Sequence, residues 1–320
     1  MDSDAIVTAV NAAESLPNTS AGKPERNSHQ VCKAIEGLIH LIFLLCGIVA
    51  VAFVLLISIY LIVSGLPAIR EIGLMKFLLG RVWDPTNTTT GAQYGILAFI
   101  LSSVYGTAGA IVVGVPVGLM TAVFLAKVAP PKLAAVIRTA VQLLAGIPSV
   151  VYGLVGMIVL VPAIRNLFHI SSGACLLAAI IVLAIMILPS IINVSETALR
   201  AVPKEYEEAS LALGATEMET YLRVSLHAAR SGAATAVVLG VGRAIGEAMA
   251  IIMVAGNVSN MPGLFTPVRF LTTGIISGMA YASPGSLYQQ ALYSIGLVLF
   301  LFIMLINVLL NVCIKNRKEG

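Results

Sequence analysis

Glu196-Thr-Ala-Leu-Arg-Ala-Val-Pro-Lys-Glu-Tyr-Glu-Glu-Ala-Ser-Leu-Ala-Leu-Gly-Ala-Thr-Glu-Met-Glu-Thr-Tyr221 interrupts an otherwise apolar chain. It is too polar to cross a bilayer, yet it carries helix punctuation throughout. Pro203 suits a first helical turn, where its missing N–H costs nothing, and Glu205, Glu207 and Glu208 sit near the positive end of that helix dipole. Gly214 suits the stop. Thr216 and Glu219 have the three-residue spacing of a capping box, so a second helix starts at once. The spacing predicts helix, turn, helix. The first helix places Tyr206, Ala209 and Leu213 on one face at i, i+3 and i+7, an exposed small-apolar stripe suited to a partner's groove. Helix pattern alone leaves open an amphipathic loop lying on the membrane or on its own bundle.

Outward from this stretch the composition is that of a membrane protein. The 320 residues are 58% hydrophobic and 11% charged, with a mean hydropathy of +0.98, which no soluble surface tolerates. A helix needs ~20 apolar residues to cross the hydrocarbon, and such runs fall at 38–64, 95–126, 138–164, 174–195, 231–256 and 287–313. They do not alternate as barrel strands would. The expected class is therefore an all-α membrane protein with six transmembrane helices. Its expected organisation is a tail over 1–37, the first span over 38–64, an outer loop over 65–94, a five-helix core over 95–313 holding the polar loop 196–230, and a short tail over 314–320. The outer loop, with Trp83, Asp84-Pro85 and a Thr/Asn run, reads as an interfacial cap.

Six spans put both ends on one side, and the charges say which. Lys23, Arg26, Lys33, Lys127, Lys132, Arg138, Arg200, Lys204, Arg223, Arg230, Lys315, Arg317 and Lys318 share that side, against Arg70, Lys76, Arg81, Arg165 and Arg269 on the other. This bias predicts cytoplasmic termini in a bacterial inner membrane. The first apolar run is too long for a signal peptide and follows a polar tail, so it is expected to stay as an anchor. The net charge of +4 comes from basic residues scattered between apolar runs, not from a patch interleaved with aromatics, so nucleic acid is not an expected partner. Cys32, Cys46, Cys175 and Cys313 lie far apart with no CxxC pair, the pattern of packing residues. Asn-x-Ser/Thr acceptors at Asn18, Asn87, Asn193 and Asn257 are no more than such a composition gives by chance.

Two spans carry unusual chemistry. Arg243 and Glu247 lie one turn apart inside the fifth, where each charge costs ~2.5–3.5 kcal/mol on insertion scales. They are expected to form an i, i+4 pair that locks helices, or to offer the guanidinium to an anion at mid-membrane with Glu247 holding it. Beside them Ala236, Gly240, Ala244 and Ala248 recur every four residues, a stripe that admits a close helix neighbour. The third span holds Gln142 and then Ile147-Pro148-Ser149-Val150-Val151-Tyr152-Gly153. There Pro148 frees a carbonyl, giving either a kinked packing helix or a wall of a path; Gln142, Ser149 and Tyr152 are the candidate path residues beside Arg243 and Glu247.

These stretches carry a resemblance. Glu208-Ala209-Ser210, Gly214 and Val224-Ser225-Leu226-His227 fall at the spacing of the Glu-Ala-Ala loop of ABC importer permeases, with Ser210, Val224 and His227 in place of Ala, Ile and Pro. The Ile147–Gly153 segment and Gly242-Arg243-Ala244-Ile245-Gly246-Glu247 resemble the phosphate-specific transport permeases. The continuation through Asn257 is similar to their PstC-type chain rather than to PstA, with Ala248 where Thr is usual. The resemblance spans roughly residues 95–312 and implies a type-I importer permease (MetI-like) fold with a cytoplasmic coupling helix. It implies that Tyr206, Glu208, Ala209, Ser210, Leu213 and Gly214 seat in a cleft of an ATPase.

The chain has no Gly-x4-Gly-Lys-Ser/Thr phosphate loop, no His-Glu-x-x-His, no Gly-x-Ser-x-Gly and no paired catalytic carboxylates, so it is expected to be neither the motor nor an enzyme. The resemblance implies partners that do that work: a PstA-type permease, an ATPase dimer of PstB type that binds ATP and Mg, and a PstS-type phosphate-binding protein, with no cofactor or metal in this chain. Import of another oxyanion (sulfate, thiosulfate, molybdate, a phosphonate) is the alternative that a membrane arginine serves equally. A gradient-driven transporter would show two similar halves, which are not seen; phosphate sensing through the partners can coexist with transport.

Overall fold

The computed structural model describes residues 25–87 and 91–316. The start of the tail, Thr88–Thr90 of the outer loop and the last four residues lie outside them. Helix α1, Glu25–Ile72, takes in the whole first apolar run. Its portion through Ile57 is a unit of its own, and Ser58–Gly320 is the second, compact unit. The helix runs past the expected end at 64 and through Pro67 to Ile72, so the outer loop is shorter than its reading. In the second unit α1 lies against the last helix: the Ser294 hydroxyl donates to the Gly65 carbonyl at 2.6 Å.

After α1 come a short helix α2, Leu74–Leu79, and a two-residue hairpin of β1, Trp83–Asp84, and β2, Gln93–Tyr94, paired antiparallel with Trp83 opposite Tyr94. The outer loop is thus more than a cap. Trp83 is buried against Tyr94, Phe99 and Tyr288 in one core with Phe77, Ile96, Leu271 and Leu292.

The membrane-crossing elements of the second unit are α3, Leu97–Val128; α5, Ser149–Phe168; and α6, Leu176–Arg200. Helix α12, Leu287–Asn316, closes the chain. Helix α6 is the axis. Some 61% of its most apolar window is buried, and Leu183, Ile187 and Ile191 are wholly enclosed. The burial of most of its surface fits a composition that is apolar on nearly every face.

The third and fifth expected spans are each broken. The run 138–164 divides into an amphipathic helix α4, Pro131–Gly146, and α5. Ile147 between them is extended because a residue before proline is driven out of the helical region. The run 231–256 divides into α9, Arg230–Gly246, and α10, Met249–Val254. The polar loop supplies α7, Lys204–Ala212, and α8, Glu217–Ala228, which meets α9 at 73°. Among the described residues five helices are long and apolar enough to cross a membrane, and six if the bent α8–α9 pair is one span. Between α10 and α12 lies α11, Leu271–Met279, nine residues that carry no span-length signal.

Ala236, Gly240 and Ala244 of the small-residue stripe are buried. A Cβ at Gly240 would come within 3.2 Å of Ile191 on α6, so α9 rests on the axis helix as close helix packing requires.

Candidate functional site

Both breaks meet. A Cβ at Gly153 of α5 would lie 2.9 Å from the Ala250 Cα of α10, so only glycine lets the two backbones come this near. At the first break Pro148 cannot donate to Leu144, its partner four residues back. The Tyr152 hydroxyl does so instead, at 2.7 Å, and the Ile147 N–H adds a longer bond of 3.2 Å. Tyr152 therefore restores the backbone bond that proline removed, and it interacts electrostatically with Arg243 across the junction. Replacing Tyr152 by Phe should cost about 1 kcal/mol, read as a lower thermal midpoint of the purified complex, while leaving the charge at Arg243 in place.

At the second break the expected Arg243–Glu247 pair is not made. The helix ends at Gly246 and Glu247 is extended, with φ −73° and ψ 133°, so the i, i+4 register that would bring the side chains together does not exist. Glu247 works on the junction itself. Its Oε1 accepts the Ala250 N–H at 3.0 Å, satisfying a free donor at the start of α10, and its carbonyl accepts the Thr272 hydroxyl of α11 at 2.8 Å. Arg243 is left half-buried, in the last turn of α9, with no ion pair to any described residue. Of the other candidate path residues, Ser149 is half-buried at the first turn of α5, and Gln142 is exposed on α4 and not drawn into the junction. Such a junction presents a cation beside two interrupted helices, an arrangement chemically able to take up an anion.

The residues expected to couple to an ATPase lie in the polar loop. Pro203 caps α7, Gly214 turns at φ +86°, and Thr216 with Glu219 makes both bonds of the capping box. Tyr206, Glu208, Ala209, Leu213 and Gly214 are exposed and Ser210 is half-buried, with the Ser210 hydroxyl 2.9 Å from that of Thr220. No residue of α7 is buried.

Sequence reasoning missed what fastens this loop to the bundle. Glu207 pairs with Lys127 at the end of α3 and accepts the Ser225 hydroxyl of α8 at 2.7 Å. Glu196, buried near the end of α6, takes Arg138 of α4 at 2.7 Å and Arg200 at 2.9 Å. The i, i+4 spacing of Glu196 and Arg200 was legible, but the partners far along the chain were not. Burial raises the pKa of Glu207, but hydrogen bonds from Lys127 and Ser225 and the charges of Lys127 and Lys204 outweigh it and hold the carboxyl below its usual value. A depressed pKa contributes stability that is whole above the unfolded value of about 4.3 and is lost as pH falls through the lower folded one. Hydrogen exchange of α7, corrected for intrinsic rates, should therefore be flat from neutrality to about pH 5 and rise in more acidic buffer. Glu207→Gln should flatten that rise.

The comparisons agree with this architecture. The profile of binding-protein-dependent transport system inner membrane components matches residues 114–316. The probable ABC transporter permease protein YqgH of Bacillus subtilis is 40% identical over 271 residues, 82% of this chain and 87% of its own. The phosphate transport system permease protein PstC of Haemophilus influenzae is 34% identical over 291 residues, 83% of this chain and 90% of its own. Among solved structures, the inward-facing MetNI methionine ABC transporter aligns at a TM-score of 0.54 and 21% identity, over 69% of this chain and 96% of that one, a likeness of fold.

Proposed function

Because the chain belongs to the binding-protein-dependent transport system inner membrane components, which are ABC permease subunits and not enzymes, we propose that it is the PstC-type permease of an ATP-driven phosphate importer. Several relatives at 30–34% identity over most of the chain bear the PstC name. The observation that carries the reading is Arg243, a half-buried guanidinium without a carboxylate partner among the described residues, held where two broken helices meet. Its planar fork donates two parallel hydrogen bonds to a tetrahedral oxyanion, and an unneutralised charge at this depth favours an anion that enters and leaves.

The proposed complex pairs this chain with a PstA-type permease, two copies of a PstB-type ATPase that binds ATP and Mg, and a PstS-type binding protein outside. The excess of Lys and Arg on the side of α7 supports a cytoplasmic position for that helix and for both termini in a bacterial inner membrane. Helix α7 seats in the ATPase through its open face. Closure of the motor then moves α7 and α8, and the pairs at Lys127 and Glu196 carry that movement to α3, α4 and α6, rocking the bundle between outward-open and inward-open states.

The test is uptake of radiolabelled phosphate by proteoliposomes holding the four-component system, with ATP inside and a tenfold excess of sulfate, thiosulfate, molybdate or a phosphonate outside. Phosphate uptake that none of these suppresses is the expected result. Uptake of one of them in place of phosphate would move the assignment to that oxyanion.

A further inference from the structure

A second cation stands at the opposite end of the bundle from α7. Arg269 lines a cavity of about 560 Å³ together with Trp83, Asn257, Ser259, Tyr281 and Tyr288. Three hydrogen bonds fix it: Nε donates to the Asn257 carbonyl at 3.1 Å and to its Oδ1 at 2.9 Å, and Nη2 donates to the same carbonyl at 2.7 Å. The guanidinium also lies 5.8 Å from the centre of the Phe99 ring. Asn257, at φ +51°, is itself held by a 2.9 Å bond to Ser277.

This clamp uses one edge of the guanidinium. Among the described residues Nη1 has no hydrogen bond, no carboxylate pairs with the charge, and no hydrogen bond engages the hydroxyls of Ser259, Tyr281 and Tyr288 in the same wall. Burial pushes the Arg269 pKa down, with Tyr288 opposing the shift, so the charge is held at a cost that an anion would offset. The cavity also neighbours the second helix break. Three residues beyond Arg269, Thr272 donates to the Glu247 carbonyl at the helix break.

We propose that Arg269, clamped by Asn257, is the anchor of an outer waiting site for a tetrahedral oxyanion, which Nη1 and the Ser259, Tyr281 and Tyr288 hydroxyls bind before it passes to Arg243. The chemistry recognised is a phosphate group, free or on a lipid headgroup. The passage to Arg243 rests on the import reading above; the site itself does not.

The probe is inorganic phosphate, and the reporter is Trp83, the only tryptophan of this chain. Its emission is taken as the difference between the assembled complex and the same complex carrying Trp83→Phe, in nanodiscs of phosphatidylcholine or of phosphatidylglycerol. A saturable phosphate-dependent change in phosphatidylcholine is expected. It should persist in Arg243→Ala and weaken by about tenfold or more in Arg269→Gln, which removes a charge-assisted donor. A change that follows phosphatidylglycerol content and ignores free phosphate makes a headgroup the occupant and overturns the passage to Arg243. No change with either source, in a complex that imports phosphate, overturns the site and leaves the import reading standing. A change with phosphate in a complex that imports another oxyanion upholds the site and overturns that reading. Equal responses in wild type and Arg269→Gln, both assembled, would also overturn it.

Discussion

Arg243→Ala is expected to lower ATP-driven phosphate uptake by about a hundredfold or more, the loss of a bidentate, charge-assisted contact worth ~3 kcal/mol. The complex should still assemble, because Arg243 makes no hydrogen bond or ion pair to any described residue whose loss would disturb the bundle. Arg243→Lys keeps the charge without the fork and should fall between the two. Uptake by reconstituted wild-type and variant complexes, normalised to assembled complex on a sizing column, is the measurement. An assembled alanine variant that transports at near the wild-type rate would remove Arg243 from the path.

The second large effect lies at the other end of the machine. Leu213 is 89% exposed, the most open large apolar side chain of the α7 turn, so Leu213→Asp should change the stability of the chain itself by no more than ~0.5 kcal/mol. In the ATPase cleft the same change buries an unpaired carboxylate, at a cost of ~2–5 kcal/mol, and transport should fall by about thirtyfold or more. Stimulation of ATP hydrolysis by the loaded binding protein should fall with it, read by phosphate release from proteoliposomes. If α7 instead lay on the lipid surface, the variant would loosen that attachment and leave stimulation intact.

The two ends of the molecule differ in how far they could be read from sequence. In the coupling loop the signals are local. Pro203, Gly214, Thr216 and Glu219 act within one or two turns of themselves; the structure places Gly214, Thr216 and Glu219 where their chemistry put them, and Pro203 one position before the first turn expected for it. At the breaks the signals compete. Apolar residues run on through Pro148 and through Glu247, so hydrophobicity alone joins α4 to α5 and α9 to α10. The prolyl constraint on Ile147 was visible as a kink but not as a full interruption. Glu247 looked like the partner of Arg243 because a continuous helix was assumed; once α9 stops at Gly246, the same carboxylate serves the N–H of Ala250. Helix α11 escaped because nine residues carry too little periodicity to stand out from a loop. The bonds of Lys127 with Glu207 and of Arg138 with Glu196 join residues 80 and 58 positions apart, which no local pattern encodes.

The path and the lever are thus built from different materials. The proposed path is apolar backbone brought close by glycine and opened by a proline, with Arg243 paired by no described carboxylate. The proposed lever is a polar helix pair tied to the bundle on one side by the half-buried pair of Lys127 with Glu207 and bare on the other. The ties are satisfied within the chain; in the proposed complex it is the bare face that needs a partner.

A cysteine at position 213 tests that need most directly. With Leu213→Cys in the complete complex, a short bifunctional thiol reagent should join this chain to a cysteine set in the ATPase cleft, in a yield that changes between nucleotide-free and ATP-bound states. The wild-type chain, whose Cys46 and Cys175 are free, should give no such product. Full phosphate uptake by a complex in which position 213 never reaches the ATPase under either condition would contradict the account.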